Sequence, residues 1–210
     1  MQTLLLLTMF LKAPGNISLF ETIKMADYKL FSKINGQWHN SFFDIFFPFT
    51  RESFVWVPFY FFLLIFIVLN FKVRGWVWAL FFIATAVLSD FISSDIIKDL
   101  VFRVRPCHDP MVTDHIRFLV SYCPNSSSFT SSHATNHFAV AMYIFTTFKH
   151  PLNKWWGAIF LWALIISYAQ VYVGVHFPLD VICGAVVGLM VGYLPAIIYN
   201  KKIGLKEPER

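Results

Sequence analysis

Five separate apolar runs divide this 210-residue chain: Phe54–Phe71, Trp76–Ile92, Ala134–Phe148, Trp155–Tyr172 and Leu179–Tyr199. A membrane-crossing helix needs roughly 20 mostly apolar residues, because hydrocarbon offers no partner to free backbone groups. One soluble core cannot hide this much apolar surface. Hydrophobic residues make up 57% of the chain and charged ones 14%, against about 25% charged in an ordinary soluble domain. Three Cys exclude a disulfide mini-protein, and the hydrophobicity excludes a disordered chain. The expected fold class is all-α: a polytopic transmembrane helical bundle of about five to six spans, in one domain.

The third run is short and holds Asn136 and His137, which predicts a place inside the bundle, away from lipid. Lys72–Gly75 and Lys149–Lys154 are short links and predict antiparallel helical hairpins. Only the stretch from Ser93 to His133 is long, and long loops in compact proteins tend to be functional. At the N-terminus, Met1–Lys12 is too short to span and has no basic residues before it, which argues against a signal peptide. Ile17–Ile34 alternates apolar and charged residues at helical spacing and predicts a helix lying in the membrane interface. The aromatic stretch Phe42–Phe49 would then dip into the bilayer. The chain divides accordingly into an N-terminal segment, 1–53, a transmembrane domain, 54–200, with its loop at 93–133, and a tail, 201–210.

Orientation follows from Lys and Arg in the flanks. One side collects Lys72, Arg74, Lys149, Lys154, Lys201, Lys202, Lys206 and Arg210. The other, from the first clear run onward, has Arg51, Lys98, Arg103, Arg105 and Arg117. The first side is the expected cytoplasmic one, so the long loop faces outward. These anchors also account for the net charge of +5, and no basic, aromatic-interleaved soluble face suggests nucleic acid.

Alternating spans bring Lys98, Arg103, Arg105, His108, Ser131, Ser132, His133, Gln170, His176 and Asp180 to one face. Ionisable groups near membrane depth are expensive and mark functional sites by default. Lys98 and Arg105 are two helical turns apart, with Pro106 ending the helix, and two such cations suit a phosphate. Taken alone they also fit snorkelling anchors. Ser131 and Ser132 precede the third run, where a helix N-terminus offers free N–H groups to an anion, and His133 stands in the first turn to donate a proton. His133 and His137 have the spacing of two metal ligands, but Ala134 stands where a zinc protease would carry its Glu. His176 precedes Asp180 by four residues. A carboxylate so placed can keep one imidazole nitrogen protonated and leave the other free as a nucleophile or base.

These three clusters resemble, in order and spacing, the type 2 phosphatidic acid phosphatase family, membrane relatives of the vanadium haloperoxidases. The family pattern is K-x6-R-P, then P-S-G-H, then S-R-x5-H-x3-D. The first motif is complete in Lys98, Arg105 and Pro106; Thr130–Ser131–Ser132–His133 keeps the Ser and His of the second; His176 and Asp180 keep two residues of the third. The resemblance implies that His176 attacks phosphorus, Asp180 orients its ring and His133 protonates the leaving oxygen. Lys98, Arg105, Ser131 and Ser132 would hold the phosphoryl oxygens, with no metal or other cofactor. It also implies a multi-pass protein of a bacterial inner membrane, its site facing the periplasm and its partner a membrane lipid. Prenyl diphosphate, phosphatidylglycerol phosphate, phosphatidic acid and lipid A phosphates are the candidate substrates. Gln170 departs from the pattern, a neutral amide where the family has an arginine. Arg103 or a protonated His108 would have to compensate; otherwise a non-catalytic lipid-phosphate binder or transporter results. A lipid phosphotransferase is a further alternative.

Cys107 and Cys123 lie in the outward loop, where disulfides are permitted, and predict a bridge worth about 3 kcal/mol. Cys183 reads as packing. Gly184, Gly188 and Gly192 form a stripe that lets two helices approach closely, within the bundle in preference to a homodimer.

Overall fold

The computed structural model describes residues 18–148 and 157–205. Met1–Lys12, the link Lys149–Lys154, Trp155 and the tail beyond residue 205 lie outside them. The described residues form six helices of ten or more residues and no strand. They are α1 (Leu19–Phe31), α2 (Ser41–Thr50), α3 (Val57–Phe91), α4 (Ser132–Phe148), α5 (Ile159–Tyr172) and α6 (Pro178–Lys202).

Short polar caps start the first two helices. Ser18 Oγ accepts from the Glu21 amide at 3.2 Å, and Asn40 Oδ1 accepts from the Phe43 amide at 2.9 Å. α1 then passes into a π-helical turn, Ser32–Gln37. Tyr28 stacks on Phe177 at 4.8 Å between ring centroids and Phe31 packs on it at a tilt, at 5.2 Å, so α1 braces the segment that carries His176. The aromatic stretch of α2 packs on the bundle through Phe47, 5.1 Å from the Tyr168 ring and 4.7 Å from Tyr172.

α3 is two arms, 57–71 and 73–91, broken at Lys72, which has φ +48°. The arms fold back on one another: Tyr60 meets Phe82 at 6.1 Å, and Leu63 and Ile67 share a buried cluster with Trp78. Gly75 sits so close to the Ile67 carbonyl that a Cβ there would clash. This is the hairpin expected of Lys72–Gly75. The long loop proves shorter than its sequence suggests. Helix continues through Ile92–Ile97 and Lys98–Leu100, because Ser93, Ser94 and Lys98 all bond to Ser132 Oγ on α4, at 2.9, 2.9 and 2.7 Å.

α4 and α6 cross in close contact along the glycine stripe. A Cβ on Gly184 would lie 2.8 Å from the Ser131 carbonyl, and Cβ atoms on Gly188 and Gly192 would run into the backbone at Thr135 and Ala139. The stripe is used within the chain and is not available to a homodimer. Buried polar groups on α3 and α4 satisfy each other: Trp78 Nε1 donates to Thr147 Oγ1 at 2.8 Å, and Tyr143 Oη to the Trp78 carbonyl at 3.0 Å.

By length and composition, Ser53–Leu100 and Pro178–Lys202 are long and apolar enough to cross a membrane. Their outward faces expose Phe61, Phe62, Leu69, Leu80, Ile83, Val87, Ile182, Val186 and Met190. So broad an apolar surface calls for a lipid surround.

Candidate active site

The short turn between α5 and α6 sets the central histidine. The amides of Val175 and His176 both donate to the Gln170 carbonyl, at 3.1 and 3.2 Å, and Gly174 supplies the positive φ, +88°, that this tight reversal needs. Pro178 then opens α6, and Asp180 accepts from the Phe177 amide at 2.9 Å, capping the helix.

His176 is 3% exposed. Its Nε2 lies 3.1 Å from Arg105 Nη1, and because a guanidinium only donates, Nε2 is the acceptor. The ring proton therefore sits on Nδ1, which faces Asp180 Oδ2 at 3.7 Å and Ser128 Oγ at 3.4 Å. At 3.7 Å the carboxylate acts on the imidazole as a charge more than as a hydrogen-bond partner. Burial pushes the His176 imidazole down to about 4, against the pull of Asp180, so the ring is neutral at pH 7 with its lone pair toward Arg105.

Arg105 is 5% exposed and its fork is fully engaged. Nε donates to the Ser126 carbonyl (2.9 Å), Nη2 to Ser126 Oγ (3.1 Å) and the Ser127 carbonyl (3.2 Å), and Nη1 to the Val175 carbonyl (3.2 Å). Lys98 sits on Ser132 Oγ and shares the same electrostatic neighbourhood as Arg105. Ser131 Oγ accepts from the Ala134 amide at 3.4 Å, and the Ser131 amide donates to the Asp180 carbonyl at 3.1 Å, joining the second and third clusters. His133 follows in the first turn of α4, with its ring 6.2 Å from His137, whose Nδ1 donates to the His133 carbonyl at 2.8 Å. Lys98 contacts Ser132, and Arg105, His176, Asp180 and Ser131 are linked by direct contacts; adjacency of Ser131 and Ser132 joins the two groups, and His133 follows in sequence.

Two expected compensating groups are elsewhere. Arg103 does not offer charge to a phosphate, because both of its terminal nitrogens are taken. Nη1 bonds Asp180 Oδ1 at 2.6 Å and Nη2 bonds Asp27 Oδ2 at 2.5 Å, with the guanidinium 4.3 Å over the Phe177 ring. His108 is exposed, beside Cys123 Sγ at 3.4 Å. Cys107 and Cys123 are joined as a disulfide, so although these three residues have metal-ligand proximity, both sulfurs are spent in the bridge. Gln170 is fully buried; its Nε2 reaches only the Ile166 carbonyl at 3.4 Å, and Oε1 has no partner.

Three supporting residues gave no motif. Asp27 on α1 holds Arg103 and accepts from the Leu179 amide at 2.8 Å, Ser128 donates to Asp180 Oδ2 at 2.5 Å, and Tyr28 bonds Asp109. Burial and the Asp109 carboxylate push the Tyr28 phenol up to about 12, so it remains a donor. Asp27 was legible only as a charge on an amphipathic helix, since its partners lie far along the chain.

The sequence profile of the PAP2 superfamily matches residues 75–203, which include Lys98, Arg105, Ser131, Ser132, His133, His176 and Asp180 but not Asp27 or Tyr28. The chain belongs to the PAP2 superfamily, a family of membrane lipid phosphatases. Among its relatives, the Porphyromonas gingivalis lipid A 4'-phosphatase is 31% identical over 85% of this chain and 75% of that protein. The Sulfolobus acidocaldarius undecaprenyl-diphosphatase is 28% identical over 90% and 84%. The crystal structure of a transmembrane PAP2-type phosphatidylglycerolphosphate phosphatase from Bacillus subtilis shares the fold, with TM-score 0.60 and 21% identity over 96% of each chain.

Proposed function

We propose that this chain is an integral membrane phosphatase that hydrolyses a phosphomonoester or diphosphate of a lipid through a phosphohistidine on His176. One observation carries the reading: a buried, neutral imidazole presents its lone pair to a fixed arginine fork, with a carboxylate behind its other nitrogen. In this reading the phosphoryl group enters between His176, Arg105 and Lys98 and displaces the Arg105–Nε2 contact. Nε2 gives its lone pair to phosphorus as the bond to the lipid oxygen breaks in line, and His133 gives that oxygen its proton. Positive charge spreading onto the ring is balanced by Asp180. Water then attacks phosphorus, with His133 taking its proton; inorganic phosphate leaves and His176 returns to neutral. Positioning and charge stabilisation supply most of the acceleration, and the scheme needs no metal.

The relatives' names put lipid A phosphates and undecaprenyl diphosphate first among substrates. A cleft of about 250 Å³ supports lateral entry: Tyr60, Phe82, Ala86 and Val140 lead from the apolar surface to Asn136 and His137. The reading includes about five to six spans, α1 lying in the interface, and a site at the outer face. Gln170 favours a second reading, a lipid-phosphate binder that does not turn over. Phosphate release from a panel of these lipids by purified protein separates the two. Release by wild type and none by His176→Ala is expected, and wild-type release no greater than that of His176→Ala would refute the phosphatase.

A further inference from the structure

The phosphate pocket is short of one charge, and one buried arginine beside it is short of a partner. Where the family pattern has arginine, Gln170 is neutral, fully buried and turned onto the carbonyl of its own helix. It adds no positive charge to a phosphoryl group. Arg51, just past α2, has a side chain only 15% exposed, and its buried Nε has no partner. Its nearest carboxylate, Glu52, is half-exposed and stands 3.5 Å from Nη1. An ion pair of that length at the surface holds an arginine weakly.

The segment after Arg51 is packed toward the first turns of α4. Trp56 Nε1 donates to the Thr50 carbonyl at 2.8 Å, and the Trp56 ring meets Trp162 at 5.7 Å. Trp162 meets His137 at 4.9 Å, and His137 lies beside His133. Ser53 lines the same cleft as Asn136 and His137. The charge of Arg51 acts on both Arg105 and His133, and Tyr122, next to the Cys107–Cys123 bridge, is close enough to act electrostatically on both arginines. We propose that Arg51 is the third cation of the phosphate pocket, taking the role that Gln170 leaves unfilled; this rests on the phosphate site described above.

The physical case is one of unspent charge. Burying a guanidinium away from water is costly without a partner, and burial lowers the Arg51 pKa despite Glu52. Gathering Arg51, Lys98 and Arg105 around one space adds repulsion. A dianionic phosphoryl group relieves both costs, and a planar fork with free donors suits its oxygens. An interfacial anchor would behave otherwise: it would extend its head into water or headgroups and leave no buried, unpaired nitrogen.

The test uses the full chain in detergent, a lipid phosphate that wild type hydrolyses, and orthovanadate as an inhibitory phosphoryl analogue. Arg51→Gln is expected to lower kcat/KM by about 10²–10³-fold, the usual loss for one preorganised donor, and to weaken vanadate inhibition at least about tenfold. Arg51→Lys, keeping the charge, should fall between the two. Arg51→Met, which keeps the apolar stem, is the second variant should Gln not fold. Both neutral variants should melt no lower than wild type, because an unpaired buried charge has been removed. Neutral variants within twofold of wild type in both kcat/KM and vanadate inhibition would overturn the proposal. So would a loss of activity that merely tracks a lower melting temperature. If wild type hydrolyses no lipid, the phosphatase reading fails by itself, and direct vanadate binding to wild type and Arg51→Gln still decides the role of Arg51.

Discussion

Replacing Arg103 by glutamine separates two roles that the sequence left undivided. Arg103 bridges Asp180, fully buried, and Asp27, 4% exposed, at 2.6 and 2.5 Å, while its own side chain is 21% exposed. Removing the guanidinium strands two buried carboxylates. Asp180 keeps Ser128 and the Phe177 amide but loses its only counter-charge among these partners, and Asp27 keeps only the Leu179 amide. Breaking a buried pair in this way costs about 3–5 kcal/mol, which in a chain of this size lowers the melting temperature by roughly 6–20 °C. The freed Asp180 then swings or takes up a proton, so the His176 ring loses its electrostatic backing and kcat falls. Affinity for vanadate stays near the wild-type value, because Arg103 does not face the phosphate. Thermal unfolding, kcat and vanadate inhibition of Arg103→Gln check this together. Unchanged melting with weakened vanadate inhibition would refute it and make Arg103 a phosphate ligand after all.

Gly188→Ala should destabilise by about 2 kcal/mol or more, since its Cβ meets Thr135 and Ala139 backbone that cannot give way, whereas Gly36→Ala, with open space, should be near neutral; comparative thermal unfolding reads both. Reducing the Cys107–Cys123 bridge, whose partners are 16 residues apart, should cost about 3 kcal/mol. A melting temperature insensitive to reductant, or to Cys107→Ser with Cys123→Ser, would contradict that. His176 has a folded pKa of about 4, below its ordinary 6.5, so the unfolded chain takes up the proton first. The stability it contributes is whole above pH 6.5 and declines as pH falls toward 4, by up to about 3 kcal/mol. The melting temperature of wild type should therefore fall more steeply over that window than that of His176→Asn, and parallel curves would refute the assignment.

What could be read from the sequence followed the range of the interactions. Apolar runs and the Lys72–Gly75 link are local signals, so the helices and the hairpin were legible, as was Pro178 at the start of α6. The residues proposed to hold phosphate were legible as candidates because they lie in three short motifs with fixed spacing. Asp27 and Arg51 were not, because their significance comes from packing between segments far apart in the chain. An arginine at the end of an aromatic stretch reads as an anchor until its nitrogen is found buried. Arg103 was misread for a related reason: beside Arg105 it looked like a second phosphate ligand, and only the position of α1 showed which carboxylates claim it. The extent of helix beyond Phe91 was hidden because Ser93, Ser94 and Lys98 are stabilised by a hydroxyl on α4.

Trapping the intermediate tests the central claim most directly. Purified protein is mixed with a phosphorus-labelled lipid phosphate from the panel, quenched in alkali and mapped by peptide. The account predicts an acid-labile, alkali-stable phosphoryl group on His176, absent from His176→Ala, and both formed and lost more slowly when His133 is replaced by Ala, because each step then lacks its proton carrier. Turnover without label on His176, and undiminished in His176→Ala, would contradict it.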